Sequence, residues 1–241
     1  MEKYYFEKEL KEAVLIKNGD RPITMVLNGE GMEVCCPELY SMNIREDGSP
    51  CLFSEDKISS GKKYEAVAFS LDCPNRERKD WICLEPMIFE DAVGYFLAHH
   101  YMEEMVSGCT ASKEMKIVGE AGPDFITGDA CIQINIPDAI LNAAGDGWNQ
   151  VMSLMVTAGQ AVRHKNMVLG LEGENKRPIF LTVLQHGLND RMEGFLCREL
   201  GRFFGEGMQE NSEFWVVDLR LEPDGITLVS YKNVTDRVML E

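Results

Sequence analysis

His99 and His100 stand four residues ahead of Glu103 and Glu104, so on a helix each forms an i,i+4 pair with a carboxylate. One such pair plus a third ligand from elsewhere could hold a metal ion; the commoner use of this spacing is a solvated helix surface. His164 follows Gln160 by about one helical turn. It is read either as a site residue or as a helix C-terminal histidine facing the dipole. His186 follows an apolar stretch and reads as a loop residue. Eight cysteines, at positions 35, 36, 51, 73, 83, 109, 131 and 197, include no Cys-x-x-Cys, which removes the ligand pairs of zinc ribbons and thioredoxin-type redox motifs. Neither Gly-x-Ser-x-Gly nor a Walker A sequence occurs, and Gly170-Leu171-Glu172-Gly173 is too short for a dinucleotide loop. Lys57, Lys62 and Lys63 gather in one expected loop, and Arg76, Arg78 and Lys79 in another. They are either a local phosphate-facing patch or solvated charges interspersed with Glu55, Asp56, Glu77 and Asp80. Met102, Met105, Met152 and Met155, at helical spacing, read as core filling.

The chain that must position these groups has 241 residues, 45% of them hydrophobic and 27% charged, a composition that excludes disorder and fibrous structure. Its net charge of −16 repels phosphate backbones and anionic membranes at long range. A globally basic nucleic-acid binder is thereby excluded, although a locally basic groove is not. Residues 1–86 carry 12 basic against 17 acidic residues, and 87–241 carry 12 against 23. The N-terminus has no apolar signal-type region, and no apolar run approaches the roughly 20 residues that span a bilayer. The expectation is a reduced, soluble, cytoplasmic protein.

Short β-compatible runs fill the first third: 13–17, 22–27, 32–36, 50–54, 64–71 and 81–84. Turn signals at Asn18-Gly19, Asn28-Gly29 and Asp47-Gly48 separate them. Several short strands within about 85 residues fit a small barrel, because closure removes unpaired edges. From Pro86 onward the texture becomes mixed. A helix is expected over 87–106, ending near Gly108, then strands over 114–118, 124–127 and 131–136. A second helix is expected over 148–164, strands over 167–171 and 179–184, a third helix over 190–204, and closing strands over 214–219 and 226–231. Such a mixture indicates a three-layer α/β domain.

The order of these segments resembles the sugar fermentation stimulation protein A (SfsA) family of DNA-binding proteins and DNA/RNA nucleases. The resemblance rests on Ala13-Val14-Leu15-Ile16-Lys17 with Arg21, Cys36-Pro37 with Ser41-Met42, Pro50-Cys51-Leu52, Lys62-Lys63-Tyr64 and Trp81-Ile82-Cys83. It continues through Lys113 to Gly119, Pro123-Asp124-Phe125, Cys131-Ile132-Gln133-Ile134-Asn135, Gln160, and Glu222-Pro223-Asp224-Gly225-Ile226-Thr227-Leu228. These matches run in order over nearly the whole chain, each of them short. The resemblance implies an α/β (α+β) protein with an N-terminal OB-like β-barrel, residues 1–85, and a PD-(D/E)xK nuclease-like domain, residues 86–241. It implies DNA or RNA as partner, with Arg21, Lys57, Lys62 and Lys63 as the barrel's contacts, and no membrane.

In that family an aspartate ends one strand and Glu-Val-Lys follows in the next. The carboxylates hold Mg²⁺, and the lysine supplies positive charge beside the reacting phosphate. Here Asp124 matches the aspartate, but Gln133 stands at the glutamate and Asn135 at the lysine, with Gln160 downstream. Both substitutions keep approximate size and remove charge. The implied Mg²⁺ site at Asp124 and the implied hydrolysis are therefore expected to be lost or severely reduced. Two departures leave alternatives open. A carboxylate could migrate in from Glu114, Glu120, Asp129 or Asp138 and a cation from Lys113, Lys116 or Lys165, keeping an active nuclease. Alternatively, Pro37-Glu38-Leu39-Tyr40, in a loop that is small and polar in the family, together with the −16 charge, suits a protein-interaction or regulatory module that has left nucleic acid.

Overall fold

The computed structural model of the protein describes residues 1–16, 24–27, 29–33, 48–58, 61–70, 72–106, 123–137, 141–144, 147–150, 158–171, 175–185, 190–209 and 212–239. It is a mixed α+β structure dominated by strands in curled sheets. After β1 (Lys3–Tyr5), the strands β2 (Lys11–Ile16), β3 (Thr24–Leu27), β4 (Glu30–Glu33), β5 (Ser49–Ile58), β6 (Gly61–Ser70) and β7 (Trp81–Cys83) follow in the chain. The last six form one antiparallel sheet in the order β4-β3-β2-β5-β6-β7. Alternation in β2 sends Ala13 and Leu15 inward, where they meet Met25, Phe53, Phe69 and Ile82. Leu27 pairs with Glu30 across the expected hairpin, and Gly29 supplies φ +84° there at no steric cost. Among the described residues no ladder joins β4 to β7, so this sheet has two edges where a closed barrel would have none.

The second half contributes α1 (Met87–Ala98), β8 (Phe125–Ile126), β9 (Ala130–Asn135), the hairpin β10 (Leu141–Ala144) and β11 (Gly147–Gln150), α2 (Ala158–Gly170), β12 (Arg177–Leu184), α3 (Asp190–Gln209), β13 (Glu213–Glu222), β14 (Gly225–Asn233) and α4 (Thr235–Met239). The larger sheet has the order β1-β14-β13-β12-β9-β8, with β9, β12 and β13 parallel. Of its parallel strands β12 and β13 are largely apolar on both faces, as strands covered on both sides must be, whereas one face of β9 carries Gln133 and Asn135. Ile132, Ile134, Leu181, Val183 and Val217 pack with Phe89, Val93 and Phe96 of α1. Phe180, Phe214 and Val216 pack with Leu196, Leu200 and Phe204 of α3 and Val238 of α4. The three layers follow from that double burial.

Two features join the sheets. Leu52, Ala68, Trp81 and Cys83 of the first sheet belong to the same apolar cluster as α1 and the second sheet, and the Cys83 amide donates to Gln185 Oε1 at 2.9 Å. The first strand of the chain, β1, pairs with β14 rather than with its sequence neighbours. A Cβ on Gly225 would overlap the Tyr4 carbonyl, so β1 needs glycine at that rung.

Several elements differ from the sequence-based expectation. The first helix stops at Ala98, not near Gly108. The His100 amide donates to Leu97 O at 3.2 Å and the Tyr101 amide to Phe96 O at 3.0 Å, with His100 at φ 61°. These are the paired bonds of a Schellman motif. His99, His100, Glu103 and Glu104 therefore do not share a helix, and the expected i,i+4 pairs do not form. Trp148 lies on β11, where it pairs with Ala143 of β10, so the strand pairing overrides the helical spacing. Met167 to Gly170 continue α2 instead of forming a strand; so short an apolar run fits either period. The expected strand over 114–118 and His186 lie outside the described residues, as do Met152 and Met155. Met102 and Met105 are core residues, as expected. Among the described residues no helix is long and apolar enough to cross a membrane.

Candidate functional site

Asp124 precedes β8, and its amide donates to Ile132 O at 2.8 Å, which sets the start of the β8–β9 pairing. Its carboxylate is committed at both oxygens. Oδ2 accepts from the Ile134 amide at 2.7 Å, and Oδ1 accepts from Arg163 Nη2 at 2.5 Å. Gln133 and Asn135, two apart on β9, present their side chains to one face of the sheet. Gln133 is 0% exposed and Asn135 1%. Gln133 Nε2 donates to the Gln160 carbonyl at 3.2 Å, and Gln160 Nε2 donates to Asn135 Oδ1 at 2.7 Å. Asp124, Gln133, Asn135 and Gln160, chosen from sequence, thus converge where the first turns of α2 cross the carboxyl end of β9.

Two members were missed. Arg163 lies three residues beyond Gln160 on α2, within the helix expected over 148–164, but no local signal ties its guanidinium to Asp124, 39 residues earlier in the chain. Glu90, in the first turn of α1, feels the negative charge of Asp124. Its carboxyl is raised above the usual range, first by burial and then by the charges of Asp124 and Asp91, with Arg163 opposing them. Of the proposed replacements, Asp129 is engaged by Arg177 at 2.9 Å, and Lys165 is exposed on α2. Glu114, Glu120, Asp138, Lys113 and Lys116 lie outside the described residues.

The donor set does not fit Mg²⁺. That ion asks for several hard oxygen ligands that offset its charge. Here one carboxylate is already neutralised by a guanidinium, and the neighbouring positions offer neutral amides. Among the described residues, no group of three or more His, Cys, Asp or Glu is arranged around an ion-sized site. The buried site instead has unspent hydrogen-bonding capacity. Among the described residues Gln133 Oε1, Asn135 Nδ2 and Thr182 Oγ1 are buried without hydrogen-bond partners, and Thr182 pairs with Asn135 across β9 and β12. Each orphaned group costs about 1–3 kcal/mol, so this patch is not optimised for stability alone.

His164 is not at the end of a helix; α2 runs on to Gly170. Its ring is fully buried against Phe180, Phe204 and Phe214, with Nε2 2.9 Å from Ser212 Oγ. Burial pushes its pKa down to about 4, so it is a neutral core residue at physiological pH. His99 is a surface residue whose Nδ1 lies 2.8 Å from Tyr95 O.

Arg21 lies outside the described residues. Lys57, Lys62 and Lys63 are not in a loop: Lys57 is on β5 and the other two on β6, where Lys57 pairs with Lys62 and Asp56 with Lys63. The register therefore sets two like charges opposite each other at one hairpin tip. In the other basic segment Arg76 is paired with Asp72 and Lys79 with Glu12, the latter at 2.8 Å. No protein-family model, characterised protein or solved structure matches this chain.

Proposed function

We propose that the second half is a non-hydrolytic PD-(D/E)xK-like domain joined to an OB-like first sheet, and that the protein is a divergent SfsA-like nucleic-acid-binding protein. The observation that carries this reading is the Asp124–Arg163 pair beside Gln133 and Asn135. It keeps a nuclease-like arrangement of positions while spending the one retained carboxylate on a cation from the chain itself. Arg163 takes the electrostatic role that a metal would have, and the amide chain through Gln160 fixes α2 against β9. Nucleic-acid contact falls to the β5–β6 hairpin, along which Lys57, Lys62 and Lys63 occur within a few residues of the turn on a chain of net charge −16. Binding carried by so few cations against that field is weak and requires low salt, with a shallow salt slope because few phosphates are neutralised.

The test combines Mg²⁺ and Mn²⁺ calorimetry with cleavage of labelled DNA and RNA in the same samples, then binding of short oligonucleotides at low salt. The expected result is no saturable metal binding and no cleavage, with oligonucleotide binding that Lys57→Ala/Lys62→Ala/Lys63→Ala abolishes. Absence of oligonucleotide binding at low salt would favour a protein-interaction module. One observation favours a second reading, an active nuclease with migrated ligands: Glu90 lies in the field of Asp124. Metal-dependent cleavage lost in both Asp124→Ala and Glu90→Ala would establish it in place of the first.

A further inference from the structure

A cleft of about 330 Å³ opens between the segment leading into β7 and the β13–β14 hairpin, with Trp81 and Pro223 among its walls. That volume is in the range of small-molecule sites. Three of the five acids around it are paired with cations of the chain. Lys3 Nζ lies 2.6 Å from Glu222 and 2.5 Å from Asp224, and Lys79 holds Glu12. Four charged groups on the walls are left over: Arg78 and Arg220, Glu77 and Asp80. Among the described residues neither arginine side chain has an ion-pair or hydrogen-bond partner, and Glu77 has none either. The loop that presents Arg78, Glu77 and Asp80 is itself ordered by Asp72, which accepts from the Asp80 amide at 2.7 Å and pairs with Arg76. Counting Lys3, five acids face four cations here, because one lysine serves both Glu222 and Asp224; both signs of charge thus stand on one concave surface, with Asp80 also in the field of Arg76.

A guanidinium matches a carboxylate or phosphate by its fork of donors. The adjacent carboxylates oppose a dianion and welcome an ammonium group. We propose that this cleft binds a small zwitterion, its carboxylate held by Arg78 and Arg220 and its ammonium by Glu77 and Asp80. A free amino acid and the ends of a short peptide share this chemistry. The site is separate from that around Asp124: Arg220 lies two strands across and four residues along from Asn135, roughly 16 Å.

The experiment is calorimetric titration of the full chain with free glycine, diglycine, N-acetylglycine, glycinamide and inorganic phosphate. Saturable binding of glycine or diglycine is expected, and the tighter of the two identifies the source. N-acetylglycine and glycinamide, each lacking one charge, should bind at least tenfold more weakly. Arg78→Gln, on an exposed loop where folding is not at stake, should weaken binding about tenfold, as should Arg220→Gln and Glu77→Gln. No saturable binding of either zwitterion, equal binding of N-acetylglycine, a preference for phosphate, or indifference to Arg78→Gln and Arg220→Gln would each overturn the proposal.

Discussion

Arg163 and Asp124 form a partly buried pair whose side chains are 28% and 18% exposed. Removing only the arginine leaves a carboxylate oxygen without its cation, whereas removing both charges leaves the backbone bond from Ile134 largely intact. Arg163→Met should therefore lower stability by about 1–2 kcal/mol, and Asp124→Asn in that background should recover part of the loss. A urea double-mutant cycle reads the coupling; additive losses would show that the pair does not act as a unit. His164 makes a second residue-scale prediction, in pH. Its folded pKa, about 4, lies below the unfolded value near 6.5. The unfolded chain therefore binds the proton first as pH falls. The stability tied to the neutral ring is complete above pH 6.5 and disappears progressively towards pH 4, by ~3 kcal/mol. His164→Leu should flatten that part of the stability–pH curve relative to the parent, and an unchanged slope would reassign it to carboxylates. The site was partly readable because strand alternation alone puts Gln133 and Asn135 on one face. Arg163 was not, since its part in the site is a contact with Asp124 across 39 residues, which neither helical spacing nor strand alternation can signal.

At the scale of elements, the strands were the easier reading because period-2 alternation and Asn-Gly or Pro-Asp turns act locally. The end of α1 was hidden for a definite reason. Met102, Met105 and Val106 are all buried, so apolar spacing continues across a helix that has already stopped. The stop is made by His100 in the left-handed region at φ 61°, a position usually held by glycine. Tyr101 then folds back with its ring centroid 6.4 Å from that of Phe96, the hydrophobic contact that accompanies this cap. His100 is exposed, so its side chain offers little in return for the strained backbone. His100→Gly should accordingly raise stability by about 1 kcal/mol, and His100→Val should lower it. Thermal melts of the two variants check the sign. Stabilisation by valine would mean that the chain relaxes out of the left-handed conformation at no cost.

Across the whole molecule, a change of texture at Pro86 suggests a division that the packing cuts across. Leu52, Ala68, Trp81 and Cys83 lie on strands before Pro86, yet they share an apolar cluster with α1 and the larger sheet. Phe53, the next residue after Leu52, turns to the other face and packs in a cluster confined to the first sheet. Composition and charge cannot reveal this, because alternation assigns Leu52 and Phe53 to opposite faces without saying what each face meets. The pairing of β1 with β14 is equally non-local: Lys3 reaches Glu222 and Asp224 from the far end of the chain. Those contacts hold both carboxyls below their usual range, despite burial at Glu222, and Lys3 above its own. The stabilisation from the carboxyls is therefore present at neutral pH and lost as pH falls through the acid range. A core shared in this way predicts one cooperative unfolding transition, with tryptophan fluorescence and far-ultraviolet circular dichroism superimposing in urea. Leu52→Ala should shift the whole transition, by about 2–5 kcal/mol. Phe53→Ala, acting within the first sheet, should also lower that single midpoint if the sheets unfold together. Two separated transitions, with Phe53→Ala moving only one of them, would mean that the boundary near residue 86 divides two independently stable units despite the shared cluster.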